Sequence, residues 1–269
     1  MARAASLGGV LRARALVSGL RVASVAAVAL STALVEACTE APVTGRQQLI
    51  LTSEAEAAQM GQQVYSQILK ETGVSQDQAL QNRVDQVGRR IAGAVGGDTN
   101  WEFTVIDDDT ANAFALPGGK VGVHTGLFQV VESDDQLAAV LAHEIAHVTA
   151  QHASERMSRE VLTQTGLGLL GAATGSQALP QIMAQAATLG IQLPFSRSQE
   201  AEADEIGLHY MARAGYDPRA AVEVWQNFAK LGGERPPEFL STHPSPGNRI
   251  ARLQNLIPEV LPVYRQNAG

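Results

Sequence analysis

The stretch that most constrains this chain is "LAAVLAHEIAHVTAQHA", Leu137 to Ala153. It puts two histidines, His143 and His147, four residues apart in an apolar run, with Glu144 between them. Positions four apart on an α-helix lie about 40° apart around the axis, so both imidazoles reach one point. Two imidazoles converging in an apolar helix suit two corners of a zinc tetrahedron. Glu144 is angled off the ligand pair, placed to take a proton from water and pass it on. With 6 His in the chain, H-E-x-x-H arises by chance only about once in a hundred such compositions. The motif is strong and incomplete: a third ligand is needed. His152 lies five residues past His147 and projects roughly 140° away on a continuous helix, which excludes it as that ligand. No H-x-x-G-x-x-H continuation follows, which argues against a metzincin.

A second helical segment supplies the candidate. "SRSQEAEADEIGLHYMARAG", Ser196 to Gly215, carries Glu200 and Asp204 four apart on one face. Glu200 can complete the ligand set, and Asp204 can orient a ligand histidine through its second ring nitrogen. Glu202 and Glu205 fit a solvated acidic face.

Around these helices the pattern is mixed. Ser53 with Glu56 marks a capping box, and amphipathic helices are predicted near 53–71 and 76–95. "WEFTVID", Trp101 to Asp107, alternates like a strand, and "ANAFALPGGKVGVHTGLFQVV" reads as two short strands about Pro117-Gly118-Gly119. One helix is predicted over Ser133 to Arg159, capped by Ser133 or Asp134. The glycine- and alanine-rich stretch Thr163 to Leu193 reads as a mobile lid or helical hairpin. A third helix follows Pro218, and a last one spans about Gly247 to Leu256 after the loop "STHPSPGNR". The fold class expected is α+β, mainly helical, with a small β-sheet.

The N-terminus differs. Arg3, Arg12, Arg14 and Arg21 precede the apolar "VASVAAVALSTALVEA", Val22 to Ala37, a secretory signal pattern. It is shorter than the roughly 20 apolar residues of a permanent span. The only cysteine, Cys38, follows at once. "LVEAC" resembles a lipoprotein lipobox with an unusual Glu36, which implies acylation of Cys38, and Thr39 implies sorting to the outer membrane. Residues 1–37 are therefore expected to be a signal peptide, 38–52 a lipidated tether, 53–262 the catalytic domain and 263–269 a tail. Removing four Arg and one Glu from 20 basic and 27 acidic residues leaves 16 and 26, about −10. A lipid, rather than surface charge, would hold such a chain to a membrane, and no basic patch points to nucleic acid.

Four blocks together, "HEIAH" at His143, "RSQEAEAD" at Arg197, "NAFALPGG" at Asn112 and "THPSPGNR" at Thr242, resemble metallopeptidase family forty-eight. This is the gluzincin family of the CAAX prenyl protease and the HtpX-type proteases. More narrowly, the chain is similar to its periplasmic lipoprotein branch. The resemblance covers about 50 to 260. It implies a zincin-like domain with one Zn2+ on His143, His147 and Glu200, and Glu144 as the base. It implies that Asn112, Ala113, Phe114 and Ala115 lie on an edge strand that receives substrate backbone by main-chain hydrogen bonds. His243 matches the family's loop histidine, either stabilising an oxyanion or plugging the zinc. Arg249 either anchors that loop, helps neutralise the oxyanion, or is a plain surface arginine. The substrates implied are unfolded or misassembled envelope proteins. The chain ends close to this domain, so docking through tetratricopeptide repeats is not expected. The rival is a non-proteolytic chaperone or assembly factor with a plugged zinc site, and retention of Glu144 argues against it.

Overall fold

Side-chain caps open four of the helices in the computed structural model, which describes residues 38–171, 194–231, 238–244 and 247–268. Helix α1, Glu54–Thr72, starts at the Ser53/Glu56 capping box predicted from sequence, with both reciprocal bonds made. Helix α2, Gln78–Val95, starts at Asp77, whose carboxylate accepts from the Ala79 and Leu80 amides. Each such cap satisfies amide donors the helix cannot.

Two three-residue strands precede them, β1, Cys38–Glu40, and β2, Gln47–Leu49. Three more follow: β3, Glu102–Ile106, β4, Ala113–Leu116, and β5, Lys120–His124. They form a sheet in the order β3-β5-β4, with β5 parallel to β3 and antiparallel to β4. β4 is therefore an edge. Gly118 and Gly119 turn the β4–β5 hairpin at φ of 85° and 77°, a region other residues rarely adopt.

The remaining helices are α3, Asp134–Thr149, α4, His152–Gly171, α5, Arg197–Arg213, α6, Ala220–Lys230, the short α7, Glu238–Thr242, and α8, Arg249–Asn267. Residues 136–147 of α3 are all buried. It packs most closely on α5, and also on α2, α6 and β4. Gly207 of α5 marks the crossing: a Cβ there would sit 3.2 Å from the His143 amide nitrogen. The fold is α+β and mainly helical, as expected.

Four sequence expectations change. The predicted helix 133–159 is two helices, because Gln151 adopts a positive φ of 50°. The α-helical bonds restart with the Glu155 amide on the Gln151 carbonyl, so His152 begins a helix of new direction. The last helix runs to Asn267 rather than Leu256, through the stretch read as a tail. Its Pro258 and Pro262 face solvent, where the freed carbonyls can reach water, while Leu253, Ile257 and Val260 keep a buried stripe. The stretch read as a tether is packed: Ala41, Gln48, Ile50 and Thr52 are buried. The reason is Arg46, which binds two buried carboxylates, Glu155 and Glu202. Of the lid stretch 163–193, residues 172–193 lie outside those described.

Candidate metal centre

His143, His147, Glu200 and His243 are buried together, with one ligand atom from each lying within 4.8 Å of all the others. Two helices meet here: α3 presents the histidine pair, and α5 presents Glu200. His147 Nε2 and His143 Nε2 are 3.1 Å apart. Glu200 reaches them at 3.4 Å from His147 Nε2 and 3.5 Å from His143 Nε2. His243 Nδ1 lies 3.0 Å from Glu200 Oε1 and 3.4 Å from His143 Nε2.

These separations fit a cation. Metal–ligand bonds of about 2.05 Å in a tetrahedron give edges of about 3.3 Å. The protonation pattern agrees. His143 Nδ1 lies 3.1 Å from Asp204 Oδ1, and His147 Nδ1 lies 2.8 Å from His152 Nδ1. With those nitrogens bonded outward, both Nε2 lone pairs point at a shared carboxylate. Nitrogens and carboxylate oxygens held this close need positive charge between them: against burial and Arg249, the Asp204 and Glu200 carboxylates raise His143 to about 9, so a proton fills that role until a metal cation replaces it. Neutral imidazoles with a carboxylate are the donor set of zinc sites, so the residues present fit that ion.

The surrounding charges are held tightly. Burial raises the Glu200 carboxyl, but His243, His143 and His147 outweigh it and keep the group well below the usual range. Burial pushes His147 well down. Arg249 is buried rather than a surface arginine. It reaches Glu200 Oε2 at 3.0 Å and Asp204 Oδ1 at 2.5 Å, and its guanidinium carbon lies 3.3 Å from the Trp225 ring centroid. Arg249 thus ties the start of α8, and with it the loop carrying His243, to the two α5 carboxylates.

His243 is held between rings: Phe239 stacks on it at 4.4 Å and Phe195 at 5.2 Å. Its Nε2 faces Glu144 Oε1 at 3.4 Å. That oxygen is buried and has no hydrogen bond among the described residues. The other, Glu144 Oε2, accepts the Ala115 amide at 3.1 Å. Burial raises the Glu144 carboxyl above its usual value.

The edge strand faces this carboxylate. The Asn112 carbonyl accepts from the His124 amide on β5, and that of Leu116 accepts from Gly119. By the two-residue period, main-chain groups of Ala113 and Ala115 point off the sheet edge. Asn112 and Ala113 are buried, while Phe114 and Ala115 are partly exposed. A cleft of about 410 Å³ runs along them, also lined by Glu144, Arg156, Phe195 and His243.

Sequence reasoning missed four groups around the site. His152 lies outside the cluster of four, and the break at Gln151 turns it onto His147 instead of away from it. Glu202 does not lie on a solvated face: it is buried and bonded to His152, Thr44 and Arg46. Arg156, whose guanidinium carbon lies 3.7 Å from the Phe195 ring centroid, and Phe195 itself line the cleft. The burial of His152 is set by one backbone angle, at Gln151, and leaves no periodic signal.

Comparison with known proteins agrees with this arrangement. The model of Peptidase family M48 matches residues 76–257. The mitochondrial metalloendopeptidase OMA1 of Saccharomyces cerevisiae is 33% identical over 250 residues, covering 85% of this chain and 71% of that protein. OMA1 of Arabidopsis thaliana is 38% identical over 169 residues, covering 62% of this chain. The beta-barrel assembly-enhancing protease of Escherichia coli is 32% identical over 221 residues, covering 78% of this chain. The chain spans only 34% of the Arabidopsis protein and 45% of the E. coli one.

Proposed function

The chain belongs to peptidase family M48, and on that premise we propose that it is a zinc metalloendopeptidase of the bacterial cell envelope acting on unfolded or misassembled proteins. The observation that carries the peptidase reading is the placement of Glu144. One carboxylate oxygen is fixed by the edge-strand amide of Ala115, and the other is free beside four ligand atoms spaced for a cation.

His143, His147 and Glu200 would hold the zinc, with His243 as a fourth ligand at rest. Bound there, zinc supplies positive charge at the scissile carbonyl and makes water more acidic. The protein's own groups do the rest. The main-chain groups of Ala113 and the carbonyl of Ala115 can pair with an extended peptide, while the Ala115 amide stays on Glu144, a mode that reads unfolded backbone rather than side-chain identity. Glu144, its affinity for protons raised by burial, takes a proton at Oε1 from the attacking water and returns it to the leaving amine. Asp204 holds His143 in the tautomer that leaves Nε2 for the metal. His243, stacked between Phe195 and Phe239 and 3.4 Å from Glu144 Oε1, blocks the position that water would need. The resting form is therefore read as self-inhibited, with His243 as the plug and Arg249 anchoring its loop.

Placement in the envelope rests on the residues before the fold, Arg3 to Cys38, and on the likeness to the E. coli protease. The OMA1 relatives are mitochondrial, and an arginine-rich leader also suits import into that organelle. Mass analysis of the mature N-terminus separates the two: a diacylated Cys38 supports the envelope, and an unmodified residue there overturns the lipid anchor.

The activity is tested with an unfolded protein such as reduced casein, with and without chelator, and with Glu144→Gln. Degradation that is lost in both cases, while the variant still binds zinc, supports the peptidase. Undiminished function of Glu144→Gln would leave the rival reading, a binding or assembly factor, in its place.

A further inference from the structure

A chain of buried polar contacts leads from the metal cluster to the N-terminal segment. His147 Nδ1 lies 2.8 Å from His152 Nδ1. His152 Nε2 lies 3.0 Å from Glu202 Oε2. The same Glu202 oxygen accepts from Arg46 Nε at 2.7 Å, and its other oxygen accepts from Thr44 at 2.5 Å. Arg46 also grips Glu155 through two nitrogens at 2.9 and 3.0 Å. His152, Glu202 and Glu155 are 0%, 5% and 3% exposed, so the histidine and both carboxylates are shielded, while Arg46 is partly open to water.

The proton positions follow in order. An ionised carboxylate only accepts, so His152 Nε2 must carry the proton shared with Glu202. A neutral His152 then has a lone pair on Nδ1, and His147 Nδ1 must donate to it. His147 is left with its Nε2 lone pair facing the cluster, the form a metal needs. Ligand histidines usually donate this proton to a carboxylate or a carbonyl. Here an intervening imidazole carries the effect of a carboxylate that the N-terminal segment neutralises.

We propose that His152 is a positioning residue that sets the tautomer and basicity of His147, and that residues 44–46 are part of the metal centre's support. The proposal rests on reading the cluster as a metal site. Packing of 41–52 against the domain is thereby tied to metal affinity.

The test is zinc affinity by chelator competition on the full chain, with folding checked by circular dichroism. His152→Ala should weaken zinc binding about 10- to 100-fold, the usual cost of losing a partner that orients a metal ligand. His152→Asn keeps an acceptor oxygen near the Nδ1 position and should stay within about threefold of the unmodified chain. Arg46→Met should weaken binding in the unmodified background, because a buried Glu202 without its arginine takes up a proton and no longer accepts from His152 Nε2, and it should add nothing on top of His152→Ala, where that bond is already gone. The visible spectrum of the cobalt-substituted protein should shift in His152→Ala and return in His152→Asn. Unchanged affinity in His152→Ala overturns the proposal, as does His152→Asn as weak as His152→Ala, or Arg46→Met effects that add in both backgrounds. Should His152→Ala not fold, His152→Leu, which fills the space but offers no acceptor, takes its place in both comparisons. If the unmodified chain binds no zinc, the metal reading falls with it. If the unmodified chain binds zinc, loses it in Glu200→Ala and is unaffected in His152→Ala, only this proposal falls.

Discussion

Replacing Gly207 by valine should loosen the metal centre without touching any ligand. Gly207 continues the α5 stripe of Glu200 and Asp204, and it lies where α5 meets α3. A Cβ at 207 would stand 3.2 Å from the His143 amide nitrogen and 3.4 Å from the Ala142 carbonyl carbon and the His143 Cα. Alanine there needs its neighbours to give by a few tenths of an ångström, and it gains up to about 1 kcal/mol of helix propensity over glycine. Those effects oppose, so Gly207→Ala should stay within about 1 kcal/mol of the unmodified chain. Valine adds two methyl groups against main-chain atoms that cannot rotate away, so α5 must move off α3. Overpacking of this kind costs about 1–3 kcal/mol, or roughly 2–10 °C in Tm for a domain of this size. The larger consequence concerns geometry. Glu200 rides on α5 and the histidine pair on α3, so separating the helices lengthens the Glu200 contacts at 3.4 and 3.5 Å directly. A carboxylate ligand works at about 2.0–2.2 Å from zinc, and a shift of even half an ångström weakens it. Thermal melts with zinc and with chelator measure both effects. The zinc-dependent increment in Tm should shrink in Gly207→Val and persist in Gly207→Ala. A valine variant with the full zinc increment would refute the claim that this crossing sets the ligand spacing.

Other perturbations separate the remaining roles. Glu144→Gln should lower proteolysis about 10²- to 10⁴-fold with zinc affinity kept, measured by cleavage of an unfolded substrate alongside metal content. His243→Ala should raise basal proteolysis severalfold if that residue is a plug, whereas complete loss of turnover would give it the oxyanion role. Chelation should lower Tm by an amount that grows with the zinc concentration of the holo sample. For pH, Glu202 is held at about 2 by hydrogen bonds to His152, Thr44 and Arg46, against the rise that burial alone would cause. Its folded value lies below the unfolded one, so its contribution is complete above pH ~4.5 and drains away as pH falls toward 2. The shift corresponds to about 3 kcal/mol, and roughly half that after screening at a network whose Arg46 is 32% exposed. Urea midpoints of the unmodified chain and Glu202→Gln should differ at pH 7, draw together as pH falls below about 4.5 and converge only near pH 2.

Why some of this was legible and some was not comes down to the range of the interactions. His143, Glu144 and His147 lie within one helical turn and a half, where spacing alone dictates direction. Glu200 and Asp204 follow the same rule on α5, so their shared face could be read from sequence. What no period encodes is the contact between elements. Glu202 has the composition of a solvated helix face, and only Arg46, 156 residues away, makes its burial tolerable. An unpaired buried carboxylate would cost several kcal/mol. The two are therefore mutually dependent, and neither is interpretable alone. His152 fails for a different reason: one positive φ at Gln151 redirects everything after it, and a residue outside glycine in that region signals nothing in the sequence. The role of Arg249 stayed open among three alternatives for a like cause, since its burial depends on Trp225, Glu200 and Asp204 arriving from two other helices. The cluster residues His143, His147 and Glu200 sit at local, readable spacings, whereas the groups packed around them arrive from distant parts of the chain. A chain in this family could keep "HEIAH" and "EAEAD" intact and still lose its metal through a change at Arg46.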